Sequence, residues 1–157
     1  MIQEDLFIDK IIPTLRNLYF KDHDSKTIDC LSMHARRGDI ANPNSPVYNS
    51  HGLRRWPVEY FEQAIISFRS EFPDVPINVF SERHYSEDLQ ILKKYNNLNI
   101  ILGNVHSLQK DINHMINSRF FMPCDSSLSA WISYISKGTI IMPKDKKIKH
   151  FHEKHIW

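Results

Sequence analysis

Residues 27–39 read Thr27-Ile28-Asp29-Cys30-Leu31-Ser32-Met33-His34-Ala35-Arg36-Arg37-Gly38-Asp39. An apolar-rich run of strand length ends here in two arginines, a glycine and an aspartate, which predicts a buried strand running straight into a turn. An unpaired charge at the end of a buried strand is costly, so the two guanidinium groups need an anion nearby. Arginine offers a planar fork of donors that matches phosphate oxygens and keeps its charge, so a diphosphate suits the pair. Gly38 lets the backbone turn sharply, and Asp39 is placed to hold one of the two arginines. Two structural readings stand beside this one. The first is an Arg–Asp ion pair at a strand end, since such networks also occupy these places. The second is an Arg-Gly-Asp adhesion tripeptide, which a strand terminus inside a domain does not favour.

Outward from this turn the pattern alternates between the two regular periods. Over residues 4–20, Leu6, Phe7, Ile11, Ile12, Leu15, Leu18 and Tyr19 recur at helical spacing, with Pro13 either kinking the helix or starting its second half. Residues 40–55, with Asn42-Pro43-Asn44-Ser45-Pro46 and His51-Gly52, form a long loop of the kind that carries function. A helix is expected over 57–72, with Pro57 at its first position and Tyr60, Phe61, Ala64, Ile65 and Phe68 on one side. Further strands are expected at 77–81, 99–102, 120–123 and 139–142. Helices fall between them at 86–95, 107–117 and 128–136, the last stopped by Gly138. Such alternation predicts an α/β fold, a Rossmann-like three-layer sandwich with a mostly parallel sheet. The chain divides into an N-terminal helix and loop (1–26), the α/β domain (27–143) and a basic, His-rich tail (144–157) that is a capping helix or a loose end.

Composition narrows the classes. With 157 residues and a formal charge of +2, the chain is one domain and lacks the basic excess of a protein that coats nucleic acid. No apolar run reaches the roughly 20 residues of a membrane span. Met1-Ile2-Gln3-Glu4-Asp5 carries acid where a secretory signal carries base, so a soluble, cytoplasmic chain is expected. Cys30 and Cys124 both sit in apolar stretches and read as inert buried thiols of a reducing compartment. His150, His152 and His155 lack the paired ligands of a structural zinc site, so no metal is expected.

In parallel sheets ligands gather at the carboxyl ends of strands. Here that selects the loops after residues 35, 81, 102 and 124. Asp111 suits the paired donors of a guanine edge, or else caps its own helix. Ser126-Ser127 opens a helix whose free N–H groups and hydroxyls suit an anion, or simply cap that helix.

The stretch His34-Ala35-Arg36-Arg37-Gly38-Asp39 resembles the His-x-Arg-Arg-x-Asp motif of α1,2- and α1,6-fucosyltransferases and their protein-directed relatives. Val79-Phe80-Ser81-Glu82 resembles the family's second motif. The third is resembled by Asp111-Ile112-Asn113-His114-Met115-Ile116-Asn117-Ser118-Arg119-Phe120-Phe121-Met122-Pro123-Cys124, followed by Asp125-Ser126-Ser127-Leu128-Ser129-Ala130-Trp131. The resemblance implies the donor-binding half of a GT-B glycosyltransferase that transfers fucose from GDP-fucose to a glycan hydroxyl with inversion. It implies that Arg36 hydrogen-bonds the β-phosphate in place of a metal ion, so no cofactor is expected. His34 would lie beside the diphosphate or sugar, and is by type a candidate base. Arg37 and Asp39 would join the donor site and partly orient its loop. Asp111 would meet the guanine amino edge, Ser126, Ser127 and Ser129 the phosphates, and Glu82 the ribose or base. Tyr48, His51 and Trp56 would stack on an acceptor sugar, with a core position the other reading for Trp56.

Full-length relatives carry a further half that helps to bind the acceptor, whereas only one short helix precedes the first motif here. A compact variant, a fragment of a larger transferase, or a chain completed by a partner or a second copy would each account for that. Two other classes stand beside the enzyme. One is a non-catalytic nucleotide-sugar or GDP-binding module. The other is a structural α/β subunit in which Arg36 and Arg37 merely pair with Asp39 and Glu82.

Overall fold

The computed structural model describes residues 11–22, 26–45, 56–104 and 106–142. Five strands, β1 (Ile28–His34), β2 (Ile77–Glu82), β3 (Leu98–Gly103), β4 (Ser118–Met122) and β5 (Thr139–Ile140), form one sheet in the order β3-β2-β1-β4-β5. Every neighbouring pair is parallel. Four α-helices, α1 (Ile12–Asp22), α2 (Val58–Glu71), α3 (Leu108–Asn117) and α4 (Ser127–Ile135), and a 3-10 helix (Glu87–Lys94) cover it. α1 packs on α4, α4 on α3, and α3 on β1 and β4, while α2 meets the 3-10 helix. The alternation in the sequence therefore produces the expected α/β, Rossmann-like layers. The helices α1, α3 and α4 lie on one face of the sheet.

The pleat sends alternate residues of β1 to opposite faces. Cys30, Ser32 and His34 turn toward α3 and α4, where they bond His114, Ser118 and Ser129. Leu31 and Met33 turn the other way and join Phe61, Ile65, Leu89 and Leu92 in the core. Fully burying an aliphatic or aromatic side chain of this size is worth about 1.5–3 kcal/mol, so this second face carries much of the stability.

Several elements differ from the pattern read in the sequence. The segment after β2 is 3-10 rather than α-helical. Its two buried residues, Leu89 and Leu92, are three apart, and a 3-10 turn eclipses residues at that spacing over the core. Gly138 does not stop α4, which ends at Ile135 with Ser136 as its C-cap. Gly138 is needed for close approach instead: a Cβ there would lie 2.2 Å from the carbonyl oxygen of Ser118. Cys124 lies just beyond β4 rather than within a strand. Strand pairing beside β4 continues past Ile140, where the Ile141 N–H donates to Phe121 O at 2.8 Å. Pro13 falls in the first turn of the described part of α1, where a missing N–H leaves no bond unmade. The loop positions 46–55, the tail 144–157 and the first ten residues lie outside the described residues.

Candidate functional site

A cavity of about 450 Å3 opens at the carboxyl ends of β1, β2 and β3. Phe80, Leu108, Met115 and Leu128 give it apolar walls, and His34, Glu82 and Asp111 bring polar groups to it. Its volume is in the range of small-ligand sites. The sheet also makes its turn of direction here, because the chain runs from β1 outward to β3 and then returns to β4 on the other side of β1. Crevices at such a switch point are the usual ligand sites of open parallel sheets.

The turn after β1 is held rigidly. Ala35 N–H donates to Phe80 O at 2.8 Å, and Ser81 Oγ donates to Ala35 O at 2.6 Å. Gly38 takes φ +56, a left-handed conformation that favours glycine, and its N–H donates to His84 O at 3.2 Å. Arg37 is 0 % exposed. Its Nε and Nη2 bond Asp88 at 3.0 and 2.9 Å, its Nη1 bonds Arg36 O at 2.9 Å, and its backbone N–H donates to Glu82 Oε2 at 2.7 Å. The guanidinium of Arg37 is thus consumed inside the fold. It acts on the turn by clamping it to the 3-10 helix and does not face the cavity. The structural pairing of Arg37 with Glu82 is corrected in one respect, since the side-chain partner is Asp88 and Glu82 holds the backbone. Arg36 is half-buried and pairs with Asp39 at 3.2 Å, and Asp39 is mostly exposed. An exposed pair of this type is worth about 0–1 kcal/mol.

His34 closes the inner end of the cavity and is 6 % exposed. Its Nδ1 lies 2.6 Å from Ser129 Oγ and 3.5 Å from Cys124 Sγ. Burial opposes the imidazolium, but the neighbouring Cys124 and the Glu82 carboxylate outweigh it and raise the His34 pKa above its ordinary value. Burial likewise opposes the Cys124 thiolate. The charge and hydrogen bond of His34, with bonds from Ser129 and from the Arg36 backbone N–H, overcome it and bring the thiol down to about 7. Cys124 is a free, buried thiol as expected, and it meets the cavity's lining only behind His34. Cys30 remains buried, against His114, Ser32 and Ser118.

The opposite end is built by the β3–α3 junction. Asn104 Oδ1 accepts the backbone N–H groups of His106 and Ser107 at 2.9 and 3.2 Å, and its amide N–H groups have no partner among the described residues. Ser107 Oγ donates to Asp111 Oδ2 at 2.9 Å. Asp111 therefore bonds the N-cap residue's side chain rather than capping the helix itself. Gly103 makes room for this carboxylate: a Cβ there would stand 2.6 Å from Asp111 Oδ2. Asn104 was not singled out in the sequence, although it opens one of the four selected loops and the Asn-x-x-Ser spacing at a strand–helix junction is an Asx-turn signal.

The serine turn divides its work. Ser126 is the N-cap of α4 and accepts the Ser129 N–H at 3.0 Å, a cap worth about 1 kcal/mol. Ser129 is 0 % exposed and reaches the cavity only through His34. Ser127 is exposed at the first position of α4. Trp56 is 4 % exposed and packs edge-on against Tyr60 with ring centroids 4.7 Å apart, so it belongs to the core and offers no face to an acceptor sugar. Tyr48 and His51 lie outside the described residues, as do His150, His152 and His155. Among the described residues no three His, Cys, Asp or Glu side chains gather as metal ligands, and no helix is long and apolar enough to cross a membrane. The sequence holds one Asp-x-Asp triplet, Asp22-His23-Asp24, of which only Asp22 is described, exposed at the end of α1. The chain matches no family model, no curated protein and no solved structure.

Proposed function

We propose that the chain binds a nucleotide-diphosphate sugar in this cavity and transfers the sugar, as a fucosyltransferase-like glycosyltransferase using GDP-fucose. The observation that carries the reading is that His34, Glu82 and Asp111, one from each of three separate sequence motifs, line a single cavity at the carboxyl end of a parallel sheet. The base sits against the β3–α3 junction, with the Asp111 carboxylate facing N–H groups of the guanine edge and the Asn104 amide facing its carbonyl. The diphosphate runs toward the turn after β1, where Arg36 exchanges Asp39 for phosphate oxygens and the first turn of α4 offers N–H groups at Ser127.

In the reaction, the bond from the anomeric carbon to the β-phosphate oxygen breaks, and GDP leaves with the electron pair. The acceptor hydroxyl attacks the opposite face and gives up its proton, so the anomeric centre inverts. Negative charge grows on the β-phosphate as this happens, and Arg36 stabilises it more in the transition state than in the ground state. The arginine thereby does what a divalent cation does elsewhere, which makes the reading metal-independent.

Calorimetric titration with GDP, GDP-fucose, UDP and ADP, without divalent metal, tests the donor site. GDP is expected to bind selectively, and Arg36→Ala to weaken it by roughly 10–100-fold, the worth of a charge-assisted bond of about 1.5–3 kcal/mol. Failure of every nucleotide to bind would remove the assignment. Release of fucose from GDP-fucose, with water or a glycan as acceptor, separates a transferase from a module that only binds.

A further inference from the structure

The imidazole of His34 is held from one side. Nδ1 meets Ser129 Oγ at 2.6 Å and Cys124 Sγ at 3.5 Å, whereas Nε2 has no hydrogen-bond partner among the described residues and belongs to a side chain lining the cavity. Ser129 Oγ also accepts the backbone N–H of Cys124 at 3.1 Å and lies 3.4 Å from Cys124 Sγ. A serine hydroxyl has one proton to give and two lone pairs to fill.

Two proton arrangements satisfy all of these contacts and leave no S–H unpaired; a third, with Nδ1–H donating to Ser129 Oγ and Ser129 donating to the sulfur of a neutral thiol, leaves the buried S–H with no acceptor among the described residues. In the first, the thiol S–H donates to Ser129 Oγ, and Ser129 donates its own proton to Nδ1, leaving a neutral ring whose hydrogen is on Nε2. In the second, Nδ1–H donates to Ser129 Oγ, and Ser129 donates to the Cys124 thiolate, leaving an imidazolium. Passing from the first to the second breaks one S–H and one O–H bond and forms one O–H and one N–H bond, with no proton gained or lost. Nε2 carries a hydrogen in both. The ring's other charged neighbours are Glu82 from β2 and Arg36 from the turn after β1, and His84 and Asp111 line the same cavity.

We propose that Ser129 and Cys124 are positioning residues that keep a proton on His34 Nε2, making His34 a fixed hydrogen-bond donor to an oxygen of the bound ligand and not a base. The identity of that oxygen, a phosphate, rests on the nucleotide-sugar reading; the protonation of the ring does not.

Long-range proton–nitrogen correlation spectra of the imidazoles test it, with His34 assigned by the signals lost in His34→Gln. The expected ring is the Nε2–H tautomer or the doubly protonated form between about pH 6 and 8, where an unheld histidine titrates and mixes tautomers. Ser129→Ala should release the ring into a tautomer mixture, and Ser129→Thr, which keeps the hydroxyl, should restore it. A wild-type ring protonated on Nδ1 alone overturns the proposal, with no variant required. So does an unchanged ring in folded Ser129→Ala. Inorganic pyrophosphate is then added to the wild-type chain. A shifted Nε2 signal supports the phosphate contact, whereas an unmoved signal from a correctly protonated ring overturns the diphosphate reading and leaves the positioning roles standing.

Discussion

The buried Arg37 guanidinium grips Asp88 with two nitrogens, Nε at 3.0 Å from Oδ1 and Nη2 at 2.9 Å from Oδ2, and so ties the turn after β1 to the 3-10 helix. Phe61 lies against its other side, with the ring centroid 5.7 Å from Cζ. Removing one partner of a buried ion pair costs about 3–5 kcal/mol, because the other charge stays buried and unpaired. Asp88→Ala, which leaves the 0 % exposed Arg37 guanidinium without its carboxylate, should lower the urea unfolding free energy by an amount of that order, and Arg37→Ala, which leaves the partly exposed Asp88, by less but still measurably. Arg36→Ala, which breaks only the exposed pair to Asp39, should change it by less than about 1 kcal/mol. Equal losses at Arg36 and Arg37 would contradict this division of labour.

Gly103 and Asp111 approach so closely that one side-chain atom decides the geometry. A Cβ at Gly103 falls 2.6 Å from Asp111 Oδ2 and 3.2 Å from Ser107 Oγ. The obstructed atoms are side-chain ends that can swing away, so Gly103→Ala should fold. On the proposed function, the displaced carboxylate no longer meets the base, and GDP affinity should fall by roughly tenfold or more, the worth of one hydrogen bond to a charged group. Undiminished GDP binding in the folded variant would move the base elsewhere.

Asn104 allows a cleaner exchange. Its Oδ1 makes the turn by accepting from the N–H groups of His106 and Ser107, and an aspartate oxygen accepts equally well. Asn104→Asp should therefore preserve the β3–α3 junction while replacing an amide donor with a second acceptor. A base carrying a carbonyl at that point loses its partner and meets a negative charge, whereas one carrying an amino group gains a partner. The expected result is a lower ratio of GDP to ADP affinity, read by competition. A ratio that stays constant would leave Asn104 with a turn-forming role alone.

Cys124 and His34 make the fold's stability depend on pH in opposite senses. The folded thiol ionises near 7 against 9.0 for the free group. Its contribution is therefore absent below about pH 7, grows between 7 and 9, and is full above 9. His34 is raised above 6.5, so its contribution is full below that pH and fades as the pH climbs through its folded value. Thiolate absorbance should rise near pH 7, vanish from that range in Cys124→Ser, and move to higher pH in His34→Gln. A wild-type thiol that stays protonated to pH 9 would show that the pair does not share charge.

Much of the fold was legible because it depends on local period. The runs at 28–34, 77–82 and 98–103 are short, apolar and bounded by turn residues, and the helical stretches between them show apolar spacing of three and four. Ser126 and Gly38 were legible for a similar reason, since a cap and a left-handed turn depend on one residue's own chemistry. The 3-10 helix was not, because its choice over α depends on where the core receives Leu89 and Leu92. Neither was the role of Gly138, which answers a carbonyl of Ser118 twenty residues away in sequence.

By itself, then, the sequence determined the alternation of strand and helix, the turn of two arginines at a strand end, and the set of loops in which chemistry belongs. Those follow from side-chain period, steric freedom and charge, which each residue carries into any fold. Which arginine is buried in the fold and which pairs at its surface was decided only when β1 and the 3-10 helix came together, for Arg36 and Arg37 are chemically identical until Asp88 takes one of them. The fate of Cys124 was decided in the same way, by strands β1 and β4 lying side by side so that a thiol and an imidazole 90 residues apart share one hydroxyl. Contacts over such separations depend on the geometry of packing, and only the tertiary structure supplies that.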